Sequence, residues 1–159
     1  VAACGYVPAP VVLAEIHAIA ARGPVRGSAL AVWGYLGNSD DVTERNRRLS
    51  NALGVARTPV GAQAYGVTLE LGVDVARWLT LGPRYALEPF ARLERFDTML
   101  RTAAGVFDNP RYLRTVITGG AALTIDRHLT FKLDLAHRRY GASELRPETT
   151  IHAVAGFVY

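Results

Sequence analysis

The sequence predicts an all-β fold, an antiparallel up-and-down transmembrane β-barrel of which about seven strands are in view, the C-terminal part of a larger barrel spread over residues 1–159. Three observations predict it. Hydrophobicity alternates with period two rather than 3.6. The alternating runs reach about 9 to 11 residues, the length a tilted membrane strand needs, where soluble strands average about five or six. The links between them alternate short and long, as they do when turns gather at one end of a barrel and loops at the other.

The runs are Val11 to Ala20, Gly27 to Leu36, Gln63 to Val75, Tyr85 to Phe96, Tyr112 to Thr124, Leu129 to Arg139 and Glu148 to Tyr159. In the third, Tyr65, Val67, Leu69, Leu71 and Val73 alternate with Ala64, Gly66, Thr68, Glu70, Gly72 and Asp74, so one face is apolar and the other small or charged. In the fourth, Leu87, Pro89, Ala91 and Leu93 oppose Glu88, Phe90, Arg92 and Glu94. The sixth sets Phe131, Leu133 and Leu135 against Lys132, Asp134 and Arg138. Short links fall near Arg22 to Arg26, Ala76 to Pro83 and Asp126 to His128, and long ones at Gly37 to Ala62 and Asp97 to Arg111; Tyr140 to Pro147 is intermediate. Within the first long link a short helix from Val42 to Leu53 is expected, capped by Asp41 or Thr43, with Leu49 and Leu53 one turn apart.

Composition narrows the function classes. Half of the residues are hydrophobic and 20% are charged, yet no stretch approaches the roughly 18 to 20 consecutive apolar residues of a membrane-spanning helix. The net charge of +4 and pI near 9.6 suit anionic partners. Lys132 is the sole lysine, and the arginines are mostly scattered singly, whereas a nucleic-acid arm clusters its basic residues. No nucleic-acid partner is expected. Cys4 stands alone, which excludes an internal disulfide and a thiolate metal knuckle. The chain starts at Val1 without a leader-like segment, so an export signal would have been removed or would lie upstream.

Catalytic constellations are weak. His17, His128, His137 and His152 lie on different segments, and Ser28, Ser39, Ser50 and Ser143 stand outside any G-x-S-x-G elbow. Glu88 and Glu94 share a face as glycosidase carboxylates do, but Arg92 between them argues for charge compensation. Gly119-Gly120 inside a strand fits close strand packing better than a phosphate loop. No enzyme, metal or cofactor is expected.

The last run is the most specific signal. Tyr159, Phe157, Ala155, Ala153 and Ile151 share one face and an aromatic ends the chain. This resembles the closing strand of bacterial outer-membrane barrels, and the resemblance implies an insertion signal at Ile151, Ala153, Phe157 and Tyr159 for the barrel-assembly machinery. The string from Leu87 to Thr98, LEPFARLERFDT, resembles the PF-x-R-x-E-x-(F/Y)-D-T strand of phosphate-selective-porin-like barrels. Gly27 to Asp41, Val116 to Ala121 and Phe131 to Asp134 resemble other strands of that family. The chain departs from the pattern at Ala121, Ala122 and Asp126-Arg127-His128, where relatives carry a tyrosine-rich strand and an Asn-rich turn.

In such a barrel the apolar faces meet lipid and the others line a lumen: Glu15, His17, Glu70, Asp74, Glu88, Arg92, Glu94, Lys132, Asp134 and Arg138. The same charges could equally brace the wall as cross-strand pairs. Trp33, Tyr35, Tyr65, Trp78, Tyr85, Tyr112 and Tyr159 fall near strand ends, where aromatic girdles lie. The expected function is a porin-like channel for small hydrophilic solutes, in contact with outer-membrane lipid. Arg45, Arg47 and Arg48 in the long link, with Arg92 and Arg138, suggest a weak anion preference. A homo-oligomer is compatible with it. The alternative is a soluble, lipocalin-like binding protein, whose apolar faces would point inward.

Overall fold

A computed structural model describes residues 7–48, 59–76 and 78–158. Its strands are β1 (Val11–Arg22), β2 (Val25–Leu36), β3 (Gly61–Val73), β4 (Tyr85–Thr102), β5 (Leu113–Ile125), β6 (Leu129–Tyr140) and β7 (Glu148–Phe157). They form one antiparallel sheet in sequence order, each strand paired with the next. The sheet is open: β1 and β7 are its two edges.

The register follows the two-residue alternation. Leu71, Ala91, Gly119, Leu135 and Ile151 lie in one cross-strand row; Glu70, Arg92, Thr118, Ala136 and Thr150 lie in the adjacent row on the opposite face. A slip of one residue in any strand would mix the two sets. Large apolar side chains mostly stay uncovered, and the buried apolar residues are the few smaller groups Ala76, Met99, Ala103, Val116 and Ala142. Among the described residues no large side chain is fully buried, so the sheet has no interior core of its own.

Several boundaries differ from the sequence reading. The first link shrinks to Gly23-Pro24, because Arg22 pairs with Val25 and Gly23 takes a φ of 60° that closes the turn. This brings Arg26 into β2. Strand β4 runs on to Thr102 and pairs with Gly61 and Gln63 through irregular register. The polar residues Asp97, Thr98 and Arg101 masked that extension.

The helix α1 spans Ser39–Arg47 and starts earlier than expected. Asn38, at a φ of 53°, precedes it and donates its side-chain amide to the Pro8 carbonyl at 2.7 Å instead of capping the helix. Asp40 and Asp41 fall in the first turn, where the helix dipole favours carboxylates, and Arg45 and Arg47 fall in the last. Thr43 is no cap: its hydroxyl accepts from Val60 N at 3.2 Å, and Asp40 accepts from Ala104 N at 3.1 Å. Leu49 and Leu53 lie outside the described residues.

Candidate functional site: the charged face of the sheet

Side chains of even number on β3 to β7 form one face, and their β2 and β1 partners continue it. On the inner strands β3, β4 and β6 charge on this face is sheltered, while the apolar face is open. Leu133 is 59% exposed, whereas the side chain of Asp134 beside it is 9% exposed. Leu71 is 55% exposed, against 31% for the side chain of Glu70.

Most of the charges are paired. Arg92 on β4 donates its Nε to Glu70 on β3 at 2.6 Å, directly across the strand pair. Glu88 stands 3.7 Å from Arg26 although β3 runs between their strands. Gly72 opens that path, since a Cβ there would lie 2.6 Å from the Glu88 carboxylate. Asp134 on β6 contacts His152 Nδ1 on β7 at 2.7 Å and Lys132 Nζ at 3.9 Å. The Lys132 ammonium also sits 4.2 Å from the Phe90 ring centroid on β4, reaching over β5. Arg138 donates to Glu148 on β7 at 3.1 Å.

Other expected lumen residues stand apart. Glu15 and His17 occupy the edge strand β1, 3.3 Å from each other, and β2 sets Leu30 and Val32 between them and the charged strands. Asp74 lies one residue beyond β3, where its carboxylate accepts from Ala76 N at 3.0 Å and shapes the turn. Glu94 lies between Thr68 and Val116 and joins no ion pair among the described residues. Ile151, Ala153 and Phe157 fall together on the apolar face of β7, exposed; Tyr159 lies outside the described residues.

Arg26, Arg114 and Glu148 belong to the charged face and were missed; His152, opposite the apolar face of the last run, was not named among its lumen residues. Arg26 was hidden in an overlong link. For Arg114 the signal was available: counting back by twos from Gly120 and Thr118 reaches it. Its guanidinium carbon sits 5.8 Å from the Phe96 ring centroid and 5.7 Å from that of Tyr140, its two cross-strand neighbours.

Chemically, the face offers cations and carboxylates, most of them in ion pairs, on a hydrogen-bonded wall. It suits water and polar solutes. No protein-family model, curated protein or solved structure matched the chain in the comparisons.

Proposed function

We propose that this chain is part of a bacterial outer-membrane β-barrel, a porin-like channel for passive passage of small hydrophilic solutes, without cofactor or chemistry. The observation that carries the reading is the exposure pattern of the inner strands β3 to β6: Leu69, Leu71, Leu93, Ile117, Leu133 and Leu135 on the open face, paired charges such as Glu70, Arg92, Lys132 and Asp134 on the sheltered one. In a soluble lipocalin-like barrel the two faces would exchange roles, with charge outside and apolar side chains around the ligand.

Dimensions support the membrane reading. On β4 the apolar run from Tyr85 to Leu93 ends at the exposed Arg95. Its eight residue steps at about 3.3 Å span roughly 26 Å, or about 20 Å across the bilayer at a tilt of about 40°, close to the apolar band of about 25 Å on such barrels. Aromatics flank the band: Trp33 and Tyr35 stack 6.2 Å apart toward the long-loop end, and Tyr85 and Phe157 mark the short-turn end.

Bare sheet edges are not tolerated in lipid, so in the membrane β1 and β7 are paired by further strands that close the barrel. The exposed apolar face of β7, with Ile151, Ala153 and Phe157, is its signal to the barrel-assembly machinery. The stretch from Leu87 to Thr98 supports kinship with phosphate-selective-porin-like barrels. Because Arg26, Arg92, Lys132 and Arg138 each have a carboxylate partner, any anion preference is weak.

The test uses the natural protein purified from membranes. Detergent-dependent solubility, a heat-modifiable folded band and ohmic conductance in planar bilayers are expected. Solubility without detergent and no conductance would favour the lipocalin-like alternative.

A further inference from the structure

At the long-loop end of the charged face, a cavity of about 510 Å³ opens between the loop before β5 and the loop joining β6 to β7. Its walls carry Arg111, Arg114 and Arg146 together with Tyr112, Tyr140 and Pro147. No carboxylate pairs with any of the three arginines among the described residues. Glu148 also borders the cavity, but Arg138 holds its carboxylate at 3.1 Å. The cavity therefore gathers positive charge without carboxylate partners, on a face where most of the other cations are paired.

Two of these arginines are anchored, Arg114 through its side chain and Arg111 through its backbone. Arg114 is flanked by the Phe96 and Tyr140 rings, which fix its guanidinium and leave it little freedom to lose on binding. Arg111 sits in a single 3-10 turn, Pro110–Tyr112, whose start is fixed by Asn109 accepting from Arg111 N at 3.1 Å. Phenol rings and a proline lie between the charges, and the volume falls within the roughly 300–1,000 Å³ of small-molecule sites. A bare inorganic anion would leave that apolar wall unused.

We propose that this cavity binds an organic carboxylate, an anion with a flat apolar body, at the mouth of the channel: guanidinium groups hold the carboxylate and the tyrosines and Pro147 cover the body. The inference deepens the channel reading and rests on it only for the site's role in solute uptake. Benzoate is the probe, titrated calorimetrically into the folded, detergent-solubilised natural protein, with acetate and inorganic phosphate in parallel. Saturable benzoate binding is expected, at least tenfold tighter than acetate or phosphate, and weakened about tenfold or more by Arg111→Gln or Arg146→Gln, each of which removes a charge-assisted contact. Both residues are exposed in loops, and heat-modifiability verifies that the variants fold. No saturable benzoate binding, phosphate binding as tight as benzoate, or unchanged affinity in both variants would each overturn the proposal. Conductance in plain potassium chloride is recorded on the same preparation: benzoate binding without conductance leaves the site standing and removes the channel, and the converse removes the site alone.

Discussion

Glu88 and Arg26 meet at 3.7 Å across an intervening strand, and they do so over Gly72. A Cβ at Gly72 would come within 2.6 Å of the Glu88 carboxylate but would meet only that flexible side chain. Gly72→Ala should therefore assemble, move the carboxylate off Arg26, and cost no more than about 1 kcal/mol, the scale of an exposed ion pair. The urea midpoint of Gly72→Ala against Glu88→Gln checks it; a large loss in the first alone would mean that the backbone, not the side chain, is in the way.

Gly120 has a different neighbour. A Cβ there would lie 2.5 Å from the Leu133 carbonyl oxygen and 2.9 Å from the Asp134 Cα, both on the facing strand β6. Backbone cannot swing aside, so Gly120→Ala should force β5 from β6 and cost about 1–3 kcal/mol, as overpacking does. Gly119→Ala, on the open apolar face with nothing within 4 Å, should be near neutral. Equal unfolding midpoints for the two variants would contradict this account.

The all-β antiparallel sheet was legible because period-two alternation survives along strands: Leu69 and Leu71 against Glu70 and Gly72 fixes the face regardless of context. Ends were less legible. Arg22 and Arg26 read as link because charge usually marks a turn, yet strand pairing persists to the two-residue turn at Gly23-Pro24. The site was legible as a set of faces but not as partners. Asp134 and His152 are eighteen residues apart in sequence and meet only through the β6–β7 register, and Arg26 reaches Glu88 only because the strand between them has no side chain at Gly72.

The turn from Asp126 to His128 holds two non-glycine residues at positive φ, Asp126 at 52° and Arg127 at 63°, a conformation costing about 1–2 kcal/mol per residue. Arg84 offsets part of this, its Nε donating to the Asp126 carboxylate at 2.7 Å. That hydrogen bond, more than charge proximity, holds the Asp126 carboxyl below its usual range. A lowered folded pKa means the contribution is fully present above the unfolded carboxylate value of about 3.9 and is lost as pH falls through the folded value. The gap in thermal midpoint between wild type and Asp126→Asn should be constant above about pH 5 and close in stronger acid. A gap that widened with acid would contradict the sign.

The end of β7 is tied to the preceding turn: Val158 N donates to the His128 carbonyl at 2.8 Å, and His128 Nδ1 lies 3.0 Å from the Val158 carbonyl. Phe157, paired with Leu129, is 68% exposed on the apolar face. Removing residues 157–159 should abolish assembly in the outer membrane, and Phe157→Ala should reduce it. Fractionation with heat-modifiability reads both. Wild-type amounts of folded barrel in the truncated protein would remove the insertion-signal reading while leaving the sheet intact.

Leu133 gives the sharpest test of which face meets lipid. It stands on the open face of β6 between Ala121 and Ala153 and is 59% exposed. If that face is solvated, Leu133→Arg costs almost nothing, since an exposed leucine makes few contacts to lose. If it faces acyl chains, a guanidinium near mid-depth costs about 2–4 kcal/mol. Thr150→Arg is the matched control, an exposed position on the charged face of β7, which on the channel proposal lines the aqueous side. Thr150→Arg should assemble at wild-type levels while Leu133→Arg loses folded barrel, read as the heat-modifiable fraction in isolated outer membranes and as the urea midpoint in lipid vesicles. Equal behaviour of the two would mean that water bathes both faces, and the membrane reading would fall with it.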